Sequence, residues 1–163
     1  MNGYSLEVME HMAKSRIDLH PNYHYFNVVE AVAGTYASEE LELGVPGSII
    51  PGGKILAIEI LSITCHCSIA AAPIANGRTD GMFRDSEAND IIKHRVETAL
   101  TTNGAVVSAP VQYDLTDGDG HGIIMAKNPT VGVQSSAMGA VQSFTGSILW
   151  RYKEVKATEF LTI

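Results

Sequence analysis

The residues best suited to chemistry lie in an acidic, glycine-rich stretch at 114–122. Its aspartates are Asp114, Asp117 and Asp119, and the last two are each followed by glycine. Carboxylate oxygens spaced in this way can fold around calcium. The register of an EF-hand fails, because the twelfth position counted from Asp117 is Asn128 rather than glutamate. Asp114, Asp117 and Asp119 are therefore candidate calcium ligands, and the alternative is that they form turns in a strand connection.

Cys65 and Cys67 are the two cysteines of the chain. In a strand their side chains point to the same face, roughly 7 Å apart. That separation is beyond easy disulfide reach. A zinc site is also incomplete, since His66 points to the opposite face. We expect two buried free thiols that act as small apolar residues.

Motifs of known chemistry give no further site. The sequence contains no H-E-x-x-H, G-x-S-x-G or P-loop motif, and no His-x-His pair. Arg78 and Arg84 stand near Asp80 and Asp85, which indicates ion pairs within a loop. We find no catalytic residues and no cofactor motif, and we predict that the protein is not an enzyme.

Composition and charge describe a globular chain with few basic residues. The 163 residues are 45% hydrophobic and 18% charged, and the net charge is −7. This length predicts one domain over 1–163 with a sizeable core. The acidic balance argues against a surface for nucleic acid, whose affinity comes from clustered lysine and arginine. No apolar run is long enough to span a bilayer, and the first residues lack the layout of a secretion signal.

The N-terminal arm, residues 1–20, contains the best helix candidate. Over 5–17 the apolar residues recur at steps of three and four, and Glu10 and Lys14 form a favourable pair one turn apart. Ser5 is a suitable N-cap, and Pro21 ends the pattern. We expect a short amphipathic helix that closes one end of the domain or contacts a neighbouring subunit.

Strand patterns begin directly after this arm. Residues 23–32 are mostly apolar with alternation, and 40–45 alternate glutamate with leucine. The longest strand pattern is 54–68, which is apolar on both faces and therefore central. Its length predicts a bend or bulge near Ser62.

The middle of the chain has weaker patterns. Residues 70–86 contain several turn-forming residues and are predicted to be a long loop. Helix is slightly favoured over 87–93, and strand over 94–101.

The second half is β throughout. Strand patterns cover 105–113, 123–127 and 131–133, with a loop at 114–122. From Ser147 to Lys156 the chain alternates regularly and includes the single tryptophan, Trp150. Strands without intervening helices predict an all-β fold, an antiparallel β-sandwich or jelly roll of about eight strands with a short N-terminal helix.

Two stretches in this half, 113–122 and 150–160, resemble small β-rich virion proteins of environmental viruses. More generally, the strand layout resembles the single jelly-roll capsid proteins, including those of membrane-containing viruses of bacteria and archaea. The resemblance covers about residues 105–163. It implies a double sheet that assembles into a capsid shell with copies of itself through edges and loops, in a virion formed in the host cytoplasm. It transfers no site residues.

Charge adds to this interpretation. Residues 1–20 carry Glu7, Glu10 and Asp18 against Lys14 and Arg16. Coat proteins that condense a naked genome need a basic arm to neutralise phosphate. We therefore expect no direct binding of nucleic acid, and a role in covering an internal membrane or in forming a second shell or spike, with a second capsid protein as a candidate partner.

The alternative function is a binding module. A lectin-like or receptor-binding sandwich would grip a sugar with loops 70–86 and 114–122 and would hold calcium in the acidic loop. Such a protein gains thermal stability from its ligand, whereas a coat protein assembles.

Overall fold

The computed structural model describes residues 20–32, 34–72, 75–99, 104–136, 140–156 and 158. This part of the chain contains 11 β-strands. They are β1 (Asn22–Glu30), β2 (Tyr36–Glu40), β3 (Ile49–Ile50), β4 (Lys54–Ile69), β5 (Gly77–Arg84), β6 (Asp90–Thr98), β7 (Val106–Val107), β8 (Val111–Asp114), β9 (Ile123–Met125), β10 (Thr130–Ser135) and β11 (Gln142–Lys156). Among these residues no helix is long and apolar enough to cross a membrane.

The strands form two antiparallel sheets. Sheet A has the order β1-β11-β4, and the free side of β4 pairs in turn with the short strands β3, β9, β8 and β7. Sheet B has the order β2-β10-β5-β6. The four short strands together occupy one position beside β4, which gives eight strand positions in all.

We number these positions along the chain: β1, β2, β4, β5 and β6 are positions 1 to 5, the edge with β7, β8 and β9 is position 6, and β10 and β11 are positions 7 and 8. The short strand β3 precedes β4 in the chain and shares the edge of position 6. Sheet A then has the order 1-8-3-6 and sheet B the order 2-7-4-5. Two sheets connected in this Greek-key manner form a jelly roll. The predicted all-β sandwich is confirmed. The predicted count of about eight strands is too low, because one edge of sheet A is divided into short pieces.

Apolar side chains of both sheets meet in one core. Phe26 of β1 and Phe144 of β11 pack with ring centroids 5.1 Å apart, and Phe83 of β5 is fully buried in the facing sheet. Trp150 lies in the same cluster and contacts Tyr152 edge to face. The predicted alternation of the terminal strand is therefore confirmed, although the strand begins earlier, at Gln142.

A β-bulge in β4 makes its long apolar pattern compatible with one core. Ile60 pairs with Trp150 while Ser62 pairs with the preceding Leu149, so Leu61 is an extra residue in the ladder. Because of this shift, residues on both sides of the bulge point inward. The bulge expected near Ser62 is confirmed.

Two predictions for the middle of the chain are wrong. Residues 77–84 within the predicted loop 70–86 form β5, a central strand of sheet B, and residues 90–93 of the predicted helix belong to β6. Glycines and aspartates that favour turns are retained here inside strands, because cross-strand pairing decides their conformation. Similarly, the predicted strand 105–113 is divided into β7 and β8, with Pro110 between them.

The helix predicted over 5–17 lies outside the described residues. So does the rest of the N-terminal arm up to residue 19.

Candidate functional site

The three candidate metal ligands lie at the end of β8 and in the loop that follows it. Asp114 accepts hydrogen bonds from the backbone N–H and the hydroxyl of Thr116, at 3.0 and 2.7 Å. Asp117 accepts from the backbone N–H groups of Asp119 and His121, at 3.0 and 2.9 Å. These bonds lower the pKa of Asp114 and of Asp117 and hold the turn.

The structure does not gather these aspartates around a common point. Within the described ranges there is no group of three or more His, Cys, Asp or Glu side chains that could hold a metal ion. The geometry seen is that of turn-forming aspartates, and calcium binding stays a prediction.

The far end of this loop is fastened to sheet A by a buried carboxylate. Glu59 lies on the outer face of β4 and is 0% exposed. It receives hydrogen bonds from Arg151 Nε at 2.5 Å, Lys153 Nζ at 2.8 Å and the Gly122 N–H at 3.0 Å. We call Glu59, Arg151, Lys153 and Gly122 the Glu59 cluster.

Burial alone would raise the pKa of Glu59. The hydrogen bonds from Arg151, Lys153 and the Gly122 N–H outweigh burial and hold the pKa below its usual range. The loop lies so close that a Cβ on Gly122 would be 2.1 Å from the Ile60 carbonyl oxygen. Only glycine allows this approach.

Sheet B carries a related group on its own outer face. Asp80 of β5 is 4% exposed and contacts Arg95 at 2.8 Å, Arg78 at 3.5 Å and Lys93 at 3.6 Å. We call these four residues the Asp80 cluster. Burial raises the pKa of Asp80, but the hydrogen bond from Arg95 and the charges of Lys93, Arg95 and Arg78 lower it further than burial raises it.

None of the described loops covers the cations of the Asp80 cluster. The side chains of Arg78, Lys93 and Arg95 are 55, 42 and 43% exposed. A surface cavity of about 490 Å³ lies beside them, lined by Arg78 and Asp80 together with Glu97 and Gln134. The cluster therefore presents positive charge to whatever approaches this face.

A histidine joins the two sheets on the side where β6 faces β8. His94 Nδ1 lies 3.0 Å from the Tyr113 hydroxyl, and His94 Nε2 lies 3.5 Å from Ser108 Oγ. Ser108 Oγ in turn accepts the backbone N–H of Cys67 at 3.1 Å. Burial lowers the pKa of His94, which favours the neutral imidazole. The hydrogen bonds of this side chain link the two sheets.

Both cysteines are buried free thiols on the inner face of β4, as predicted. Burial raises the pKa of Cys65 and of Cys67 to about 12. They are therefore protonated at neutral pH and pack as apolar residues.

The edge strands carry most of the exposed apolar side chains among the described residues. Central strands β4, β5, β10 and β11 carry none of the large ones. The exposed residues on edge strands are Tyr23, Tyr25 and Val29 on β1, Tyr36 on β2, Ile49 on β3, Val107 on β7 and Val111 on β8. Tyr25 and Ile49 are 77 and 84% exposed.

The ion clusters were missed in the sequence for different reasons. Glu59 is a lone carboxylate inside an apolar strand, and Arg151 and Lys153 alternate along another strand. These two features of the sequence are what indicates a buried ion pair. The pattern around Asp80 predicts a loop with ion pairs, and it does not show that Asp80 is buried on a central strand. The predicted pair of Arg78 with Asp80 is confirmed, whereas Arg84 pairs with Asp90 rather than Asp85.

Comparisons with known proteins find similar structures but no family. No protein-family model and no curated protein matches the chain. The VP1 protein of Trichodysplasia spinulosa-associated polyomavirus, solved with 3'-sialyllactose, is 10% identical with a TM-score of 0.43, covering 86% of this chain and 98% of that one. A chain in the structure of Broad Bean Stain Virus is 10% identical with a TM-score of 0.42, and the match covers 83% of this chain and 90% of that one. New Jersey Polyomavirus VP1 is 8% identical with a TM-score of 0.39, covering 84 and 100%. At these identities and TM-scores, none of the three assigns a family or a function to this chain.

Proposed function

We propose that this protein is a structural component of a virion, which assembles into a capsid shell with copies of itself through the edges and loops of its sandwich. It performs this role without catalysis. The sequence resemblance over residues 105–163 and the jelly-roll connection of the strands are compatible with this role. Because a fold hosts many functions, the proposal rests on the surface of the chain.

The observation that carries the proposal is the position of the exposed apolar side chains. Tyr23, Tyr25 and Ile49 lie on strands that have an open side, because no other described strand pairs with their outer backbone groups. An open strand edge is a template for pairing with another chain, and monomeric proteins protect such edges with charge, bulges or covering loops. Here five of the edge strands carry large exposed apolar side chains, and of these β2 also carries exposed glutamates. Contact with further copies would bury them.

The acidic balance of the chain supports the second part of the proposal. A net charge of −7 does not suit a surface that condenses nucleic acid. The protein would cover an internal membrane or form a second shell or spike, beside a second capsid protein. Binding to single-stranded DNA or RNA at physiological salt, if lost on deleting residues 1–20, would contradict this part.

Electron microscopy of the concentrated protein, together with sedimentation velocity, tests the main proposal. We expect rings or shells at high concentration and dissociation on dilution. The variant Tyr25→Ser should raise the concentration needed for assembly and leave the melting temperature of the dilute protein unchanged, since Tyr25 is exposed in one copy.

Gln112→Ser is the matched control, because Gln112 is an exposed polar residue on β8. A protein that stays monomeric at every concentration would overturn the proposal. If calcium or a glycan also raised its melting temperature, the calcium-dependent binding module would be favoured instead.

A further inference from the structure

We propose that the β2 edge of one copy binds the β6 edge of the next, so that sheet B continues from subunit to subunit. This inference rests on the proposed function and names one of the contacts through which the copies assemble, in addition to the apolar edges of sheet A. Within the described ranges, β2 and β6 are the two outermost strands of sheet B, and each pairs on one side only. Both therefore offer unpaired backbone groups to an incoming strand.

The β2 edge is acidic. Glu39 and Glu40 belong to β2, and Glu42 follows it; all three are exposed. None of them has an ion-pair partner among the described residues. Three unneutralised carboxylates in four residues repel one another, and a cationic surface would relieve this repulsion.

The β6 edge is basic. Lys93 and Arg95 point outward from β6, and Arg78 joins them from β5. These three cations share the single carboxylate of Asp80, and one positive charge remains after Glu97 at the end of β6 is counted as well. On a chain with a net charge of −7, this local excess is a specific feature of one edge.

The two edges fit each other only between copies. Strands in a sheet are about 4.8 Å apart, so β2 and β6 of one chain are separated by roughly 14 Å across β10 and β5. A contact between two different surfaces is heterologous, and repeating it gives a closed ring or an extended array rather than a dimer. Such growth is what a shell requires, and every copy supplies both surfaces.

Zero-length carbodiimide cross-linking of the wild-type protein tests the contact directly. The reagent joins a carboxylate to an amine at ion-pair distance, and the linked peptides are identified by mass spectrometry. We expect Lys93 to be joined to Glu39, Glu40 or Glu42 in the cross-linked oligomer and not in the monomer. The exposed pair Lys54–Glu154, at 2.6 Å within one chain, is the internal control and should be joined in both.

If oligomers form and Lys93 is not joined to this stretch, the inference is overturned while the proposed function stands. If no oligomers form at any concentration, the proposed function fails first. The two results are therefore distinguishable.

The variant E40K/E42K provides an independent measurement. Because these carboxylates have no ion-pair partner in the part of the chain that the structure describes, the melting temperature of the dilute variant should match that of the wild type. The concentration needed for assembly should rise at least ten-fold. E87K/D119K is the control, since it makes the same change of net charge at exposed positions outside both edges. Equal loss of assembly in both variants would overturn the inference, because net charge alone would then account for it.

Discussion

The Glu59 and Asp80 clusters are both built from one buried carboxylate and its cations, but they differ in how far the cations are exposed. Each places a nearly inaccessible carboxylate on the outer face of a central strand, directly opposite an arginine of the neighbouring strand. In the Glu59 cluster, loop 115–122 closes over the carboxylate, and Arg151 and Lys153 are only 32 and 27% exposed. In the Asp80 cluster the cations are between 42 and 55% exposed.

A covering loop is what separates the two roles. Beneath the loop, Glu59 pairs with Arg151 and Lys153 and accepts the Gly122 N–H, and these bonds fasten the loop between β8 and β9 to sheet A. Without a loop, the carboxylate fixes the positions of three cations whose field extends into solvent. The Glu59 cluster thus stabilises sheet A internally, whereas the similar Asp80 cluster forms a recognition surface on sheet B.

Glu59→Gln should have the largest effect on stability. Removing one partner of a buried ion pair leaves Arg151 and Lys153 without their carboxylate, and we expect a loss of about 3 kcal/mol in the free energy of unfolding. Urea unfolding measures it. Glu154→Gln, which removes an exposed surface pair with Lys54, should change stability by less than about 1 kcal/mol. Equal losses in the two variants would show that the loop is not held by Glu59.

Gly122→Ala tests the close approach of the loop. Its methyl group would overlap the Ile60 carbonyl oxygen, so the loop must move away, at a loss of about 2 kcal/mol. Gly118→Ala is the matched control in the same loop, because no atom lies within 4 Å of its Cβ position. The melting temperatures of the two variants are compared, and equal values would show that the loop does not approach the Ile60 carbonyl this closely.

Asp80→Asn should affect stability less than Glu59→Gln, by about 1 kcal/mol, since its cations remain solvated after the carboxylate is neutralised. Unfolding of the two variants under identical conditions measures the difference. A larger loss for Asp80→Asn would reverse the comparison between the covered and the open cluster.

Acid should weaken both clusters. The pKa of Glu59 and of Asp80 is lower in the folded chain than in the unfolded one. Their contribution is therefore fully present above the unfolded pKa values, about 4, and is lost as the pH falls through the folded values. When the melting temperature is measured from pH 7 to pH 2, it should decrease once the pH is below about 4. This decrease should be less steep in Glu59→Gln. A pH profile of Glu59→Gln parallel to that of the wild type would contradict this assignment.

The smallest effect concerns the thiols beneath sheet A. Cys65 and Cys67 are buried with a pKa of about 12, so a thiol reagent at pH 8 should label them only when the sandwich opens. We expect faster labelling in Glu59→Gln than in Asp80→Asn, because Glu59 stabilises the loop between β8 and β9, and both of these strands pair with β4, which carries the thiols. Rapid labelling of the wild-type protein would show that these thiols are accessible.

Local patterns predicted much of the fold. Alternation is a property of neighbouring residues, so β1, β4 and β11 could be found, and the length of the β4 pattern predicted the bulge near Ser62. The strands β5 and β6 could not be found in this way. Their turn-forming residues, such as Gly81 and Asp85, take their conformation from pairing partners far along the chain.

The ion clusters depend on contacts that no local pattern encodes. Glu59 meets Arg151 across 92 positions, and their meeting is decided by the register of β4 with β11. The charge of the two sheet B edges is visible in the sequence, but their placement on opposite edges follows only from the strand order. The candidate metal ligands Asp114, Asp117 and Asp119 are the opposite case. They are close in sequence, but the fold does not bring their carboxylates together.

One mixing experiment tests the central claim, that copies bind head to tail through oppositely charged edges of sheet B. The first variant is E40K/E42K; the second is D80N/K93E/R95E, in which Asp80→Asn avoids an unpaired buried carboxylate. Sedimentation velocity is measured for each variant alone, for the equimolar mixture and for the wild type. We predict that neither variant assembles alone and that the equimolar mixture forms oligomers. Assembly of each variant alone, or a mixture that stays monomeric while the wild type assembles, would contradict the claim.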